Sequence, residues 1–306
     1  MPRVRSSRRA SAGVSVFVGR GRGRSEEQIV FAPSGRELYG LLYKPQGPCL
    51  GGLVVCAPDG EERMWSQRML VHAARVLADH GLLVLRFDYR GQGESSGNYE
   101  ETSVRTRIED IGAALALLRN RVDGAPVFLL GARLGGTLAL RASANDPHGI
   151  GVALWEPVLD TAAYVQELLR VNISTQMMMF KKVLRNRTQL ADAIAAGEKV
   201  SVNGFDLCRP FVEELDHLNP VRCLAQSSGR RLLLLSPSSK YEGTSSEEVL
   251  RLEFPVFWKE PKNYYGSLPA LEDATLAWIR RSTPSVGSTP GSPSGRTGTA
   301  RGGIIG

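Results

Sequence analysis

The run Ala125-Pro126-Val127-Phe128-Leu129-Leu130 leads straight into Gly131-Ala132-Arg133-Leu134-Gly135-Gly136. A short apolar run reads as a buried strand. The glycines that follow permit only a tight corner and a helix packed close to the strand. The chain is thereby committed to strand, sharp turn and helix, with one large side chain, Arg133, at the corner. A strand buried on both faces needs helices on both faces.

The flanking sequence repeats that alternation. Gln28–Ala32 and Glu37–Tyr43 read as an opening hairpin around Pro33-Ser34-Gly35. Gly52–Cys56, Leu82–Phe87, Gly151–Trp155, Leu232–Leu235 and Pro255–Trp258 read as further strands. Ser66–His80 and a helix capped by Ser103 lie between them, the second carrying Val104, Ile108, Ile111, Leu115 and Leu118 at helical spacing. A last helix spans Leu268 to Arg281. Alternating strands and helices predict an α/β fold with a mostly parallel sheet. From Asp160 to about Gln226 the alternation stops and the chain reads as helical, an insertion of the kind that caps a site. Within it, Met177-Met178-Met179-Phe180 fits either an apolar pocket wall or packing against the core.

Charge divides the chain differently. The formal net charge is +7, yet seven arginines precede the first acid, Glu26, and Arg296 and Arg301 lie near the other end. The basic character therefore belongs to the two ends, 1–25 and 282–306, which are expected to be disordered tails around a domain spanning 26–281. Weak polyanion contact through the first tail is the only nucleic-acid role this distribution allows. The cysteines Cys49, Cys56, Cys208 and Cys223 form no Cys-x-x-Cys pair and no zinc-ligand spacing. No metal or cofactor is expected, no run is long enough to span a membrane, and the chain reads as cytoplasmic.

The corner itself has the frame of Gly-x-Ser-x-Gly, the nucleophile elbow of α/β-hydrolases, with arginine in the serine slot. Guanidinium stays protonated and cannot attack a carbonyl. Phe87-Asp88-Tyr89-Arg90-Gly91-Gln92-Gly93-Glu94-Ser95 resembles the Asp-x-Arg-Gly turn of serine aminopeptidase-type hydrolases, with Asp88 and Arg90 expected to pair across it. Ala57-Pro58-Asp59-Gly60-Glu61-Glu62-Arg63 occupies the place of the oxyanion loop. Together with Leu154-Trp155-Glu156-Pro157-Val158, Gln166-Glu167-Leu168-Leu169-Arg170 and Phe257-Trp258, these segments resemble the second hydrolase associated with the exosortase A system, over roughly residues 28–281. The resemblance implies an α/β-hydrolase fold with a helical cap, an arginine at the elbow as a family property, and a role in surface-polysaccharide or protein-sorting biology.

The rest of a Ser-acid-His set is thin. Glu242 is the acid nearest the end of the strand Leu232–Leu235, and no histidine follows His217. His72, His80, His148 and His217 read as helix-face or turn residues. Ser66, Ser95 and Ser96 read as cap or turn residues. With serine and histidine both missing, Ser-His-Asp acyl transfer is not expected. Arg133 should find a carboxylate on the same rim, Glu62 or Glu156, or should bind an anionic ligand instead. Asp59, Gly60, Glu61, Ala132 and Leu134 are the expected pocket and oxyanion positions. Two functions remain: a pseudoenzyme binding a small acyl or anionic ligand, or an ester or thioester hydrolase in which Glu62, Glu156 or Glu242 serves in a non-standard set.

Overall fold

A computed structural model describes residues 14–20, 25–144, 146, 148–225, 232–237, 247–259 and 266–283. Strands β1 (Val14–Arg20), β2 (Ser25–Phe31), β3 (Leu38–Tyr43), β4 (Gly51–Cys56), β5 (Leu82–Phe87), β6 (Val127–Ala132), β7 (Gly151–Trp155), β10 (Leu232–Leu235) and β11 (Glu247–Leu250) form one nine-stranded sheet. A separate hairpin joins β8 (Val200–Val202) to β9 (Phe205–Leu207). The order in the large sheet is β1-β2-β3-β5-β4-β6-β7-β10-β11. It is antiparallel from β1 through β5 and parallel from β5 to β11.

Strands β4, β5, β6, β7 and β10 are buried along their whole length, and consecutive side chains go to opposite faces. Val54, Cys56 and Leu129 pack with α2 (Val104–Arg119) and α3 (Leu134–Ala144). Leu53, Val55, Phe128 and Leu130 pack with α1 (Gly60–Asp79) and α8 (Pro269–Ser282). The indole of Trp155 on β7 donates to Thr275 Oγ1 on α8 at 2.9 Å, so even the polar atom of this buried ring is satisfied. Ser103 caps α2 through a reciprocal pair with Thr106, as its position before the apolar period implies.

Four expectations change. The helix after β4 begins at Gly60, ahead of Ser66, so Glu61 and Glu62 sit in its first turn rather than in a loop. Carboxylates are favoured there by the helix dipole, which the glycine at its start concealed. Pro255–Trp258 is not a strand; Pro255 has no N–H for a ladder, and the edge is taken by β11, whose Glu247-Glu248 start disguised it. Val14–Arg20, inside the stretch read as a tail, pairs along its length with β2. Its alternation of valine with other residues is strand-like, and the surrounding arginines hid that. The insertion between β7 and β10 holds α4 (Thr161–Phe180), α5 (Arg187–Ala195), α6 (Arg209–His217) and α7 (Pro220–Ala225), but also the β8–β9 hairpin. Among the described residues no helix is long and apolar enough to cross a membrane.

Candidate functional site

The site lies where the parallel strands end. Arg133 follows β6 with φ 50, the left-handed region that a branched or long side chain adopts only under constraint. Its N–H donates to Trp155 O at 3.1 Å, and its carbonyl accepts from Gly136 N at 3.0 Å. The corner is therefore fixed by main-chain bonds, whatever side chain stands on it. Its glycines are obligatory: a Cβ on Gly135 would fall 2.2 Å from Ala57 O, and one on Gly131 2.4 Å from Gly136 Cα. The elbow geometry is intact although the residue on it is arginine.

Arg133 is 8% exposed. Nε donates to Glu62 Oε1 at 3.1 Å, Nη2 lies 3.0 Å from the same oxygen, and Nη1 reaches the main-chain carbonyl of Glu156 at 3.5 Å. The indole of Trp258 stacks on the guanidinium, 4.5 Å from ring centroid to Cζ, adding a cation–π contact. Glu62 supplies the carboxylate, whereas Glu156, itself at φ 43, supplies its carbonyl. Both guanidinium contacts converge on one oxygen; Glu62 Oε2 is buried with no hydrogen-bond partner among the described residues. Burial pushes the Glu62 carboxyl up to about 7, and the attraction of Arg133 offsets only part of that. Burial opposes the charge of Arg133 as well, but Glu62 outweighs it and raises the guanidinium further, so Arg133 stays charged.

Beside the pair is a cavity of about 260 Å³, with Glu62 and Trp258 in its wall. Its apolar surface comes from Leu168 and Val171 on α4 and from Val202, Phe205 and Leu207 on the hairpin. Its polar surface comes from Asp59, Glu61, Tyr99, Tyr164, Glu167 and Lys259. Burial, then the neighbouring carboxylates Glu62 and Asp59, hold the Tyr164 phenol well above its ordinary range, which keeps it a proton donor. Burial opposes the charge on Glu167, but Lys259, 2.6 Å away, and Arg133 hold it below the usual carboxylate range. Asp59 has a different task. It takes Arg107 Nη2 at 3.0 Å, the Tyr99 hydroxyl at 2.9 Å and the Gln92 amide, a buried knot that joins α1, α2 and the turn after β5.

The other expected residues are distributed as follows. Asp59, Gly60 and Glu61 line the cavity, whereas Ala132 and Leu134 are buried behind it. Gly60 has φ +55 and packs against Phe205, and Glu61 accepts from Asn203 of the hairpin at 2.8 Å. Asp88 and Arg90 do not pair with each other. Asp88 binds Arg63 of α1 and Arg90 binds Asp110 of α2, at 2.6 Å, because the turn points the two side chains toward different helices. Glu242 lies outside the described residues. Ser66 donates to Glu62 O, Ser95 to Asp88 O and Ser96 to Glu37 O, which are structural bonds. His72 pairs with Glu272, while His80 and His217 bond carbonyls one turn back, and no histidine lines the cavity. Met177 to Phe180, expected in a pocket wall or in the packing, are exposed instead. Tyr164, Trp258 and Arg107 belong to the site without having been singled out for it; only the Phe257-Trp258 pair had left a trace.

Known hydrolases share parts of this chain and its fold. The family described as serine aminopeptidase, S33, matches residues 63–201. Human monoglyceride lipase is 27% identical over 169 residues, covering 51% of this chain and 54% of the lipase. The human mitochondrial palmitoyl-protein thioesterase ABHD10 is 28% identical over 148 residues, covering 48% of this chain and 42% of the thioesterase. The chain thus matches about half the length of these relatives. Est1E from Butyrivibrio proteoclasticus, with ferulic acid bound, superposes with a TM-score of 0.58 at 17% identity, over 82% of this chain and 99% of that one. An esterase of Pyrococcus furiosus superposes with a TM-score of 0.57 at 14% identity, over 87% and 96%. Nine strands in this order, an elbow after β6 and these neighbours make the chain a protein of the α/β-hydrolase fold, similar over 63–201 to the serine aminopeptidase family S33.

Proposed function

We propose that this protein binds a small acyl ligand with an anionic head and does not carry out serine-dependent acyl transfer. The observation behind this is the Arg133–Glu62 pair on an intact elbow. A protonated guanidinium occupies the nucleophile's position, and the neighbouring group is a carboxyl rather than a histidine. The apolar wall of Leu168, Val171, Phe205 and Leu207 suits a short acyl chain. Tyr164 and Lys259 in the wall suit its head group, with Arg133 held next to the wall by Glu62. With its carboxyl pushed up to about 7, Glu62 is neutral in mild acid, and the charge of Arg133 is then available to a ligand carboxylate. Octanoate measured by isothermal titration is expected to bind more tightly at pH 6 than at pH 8, and Arg133→Ala is expected to abolish binding. Equal affinity at both pH values would remove Glu62 from the mechanism. The resemblance to exosortase-associated hydrolases directs this reading to surface-polysaccharide or protein sorting, and neighbouring exosortase genes would support it.

One observation favours a second reading. A carboxyl near 7 with a free buried oxygen at a cavity edge is poised as a general base. Glu62 would then activate water on an ester or thioester, with Arg133 and the Tyr164 hydroxyl facing the developing oxyanion. Turnover of p-nitrophenyl octanoate or octanoyl-thioester that disappears in Glu62→Gln would establish this reading and overturn the first.

A further inference from the structure

The end of α4 and the turn into α5 present an apolar surface that the cavity does not use. Met177, Met178, Met179, Phe180, Val183 and Leu184 are between 45% and 69% exposed. Single exposed apolar residues are ordinary, but six within eight positions make a patch with a purpose. The patch is held in place. Lys181 closes α4 with φ 58, and the buried Gln176 side chain accepts from Leu184 N at 2.6 Å and Arg185 N at 2.9 Å while donating to Arg185 O at 3.1 Å. The turn that displays Val183 and Leu184 is therefore stapled to the helix.

Charge identifies the occupant. No acid lies between Glu167 and Asp192, whereas Arg170, Lys181, Lys182, Arg185 and Arg187 all do. Lys181, Lys182, Arg185 and Arg187 are exposed around the patch, and among the described residues only Arg185 meets an acid, Glu198 at 2.8 Å. A second copy of this chain would set these positive charges against themselves. The chain's own ends, 1–24 and 284–306, carry arginines and no acids, and are repelled in the same way. Apolar side chains ringed by lysine and arginine match the two layers of an anionic lipid surface, acyl chains beneath and phosphates above.

We propose that the α4–α5 turn inserts into anionic membrane surfaces, with Met178, Met179 and Phe180 entering the acyl boundary and Lys181 and Lys182 meeting the phosphates. This docking is peripheral and does not depend on the ligand bound in the cavity. The test uses the full chain carrying Phe180→Trp, whose added indole reports on this turn and not on the arginine-rich start. Vesicles of phosphatidylcholine and phosphatidylglycerol should blue-shift that indole, and brominated acyl chains should quench it. Vesicles of phosphatidylcholine alone should do neither. Neutralising both lysines, Lys181→Gln and Lys182→Gln, should weaken partition about 30-fold, from about 1 kcal/mol for each charge. Met178→Asp with Met179→Asp should abolish quenching while leaving the thermal midpoint unchanged, since both positions are exposed. An indole that does not respond to anionic vesicles overturns the proposal and points to a protein partner. A dimer seen by sedimentation and dissolved by the aspartates overturns it in favour of a second copy.

Discussion

Arg133 and Glu62 are each tolerable only because of the other. Arg133 without Glu62 would be a buried guanidinium held by one carbonyl and one ring. Glu62 without Arg133 would be a buried carboxylate with no counter-charge. Arg133→Ala is therefore expected to cost about 3–5 kcal/mol in urea unfolding at pH 8, as when one partner of a buried pair is removed. The loss should be smaller at pH 5.5, where Glu62 takes up a proton. Adding Glu62→Gln to Arg133→Ala should recover most of the loss, because the stranded charge is gone. If the double variant is as unstable as the single one, the cost lies in lost packing against Trp258 instead.

At the scale of elements, the corner between β6 and α3 is a contact between backbones. The carbonyls of Cys56 and Ala57 lie where a Cβ of Gly135 would be, at 2.3 and 2.2 Å. Gly135→Ala must push β4 and α3 apart, and the expected loss is at or above the upper end of the roughly 1–3 kcal/mol typical of overpacking. Ser103→Ala removes one cap from α2 and leaves the helix its buried face, so about 1 kcal/mol is expected in the same measurement. The elements also show what pattern reveals and what it hides. The period of α2 and the apolar runs of β4 to β7 were legible because burial writes itself into periodicity. The start of α1 at Gly60, the β8–β9 hairpin and the edge strand β11 were not, since a glycine, three-residue strands and paired glutamates carry no such period. The same holds for the Asp88–Arg63 and Arg90–Asp110 pairs, whose partners lie 25 and 20 residues away along the chain.

For the whole molecule the Glu62 carboxyl links folding to pH. Its proton is held up to about 7 in the folded chain and released near 4.5 when burial is lost. Between those values the folded state binds more protons than the unfolded one, so stability falls as pH rises through that window and levels off above it. Comparing urea midpoints at pH 5 and pH 8 for the wild type and Glu62→Gln isolates the effect. The wild type should lose more stability than the variant on going to pH 8. A parallel loss in both would mean that other groups set the dependence.

The sequence by itself determined the sheet's parallel core, the strand-turn-helix corner, the arginine upon it and the lack of a late histidine. These are local patterns of apolar period, glycine spacing and residue type, and no packing can alter them. The tertiary structure decided which carboxylate meets Arg133, because Glu62 lies 71 residues away and only the first turn of α1 carries it to the corner. It also decided the protonation of Glu62, since its desolvation comes from burial in the folded chain. And it turned Met177 to Phe180 outward, where their composition alone was equally consistent with the core.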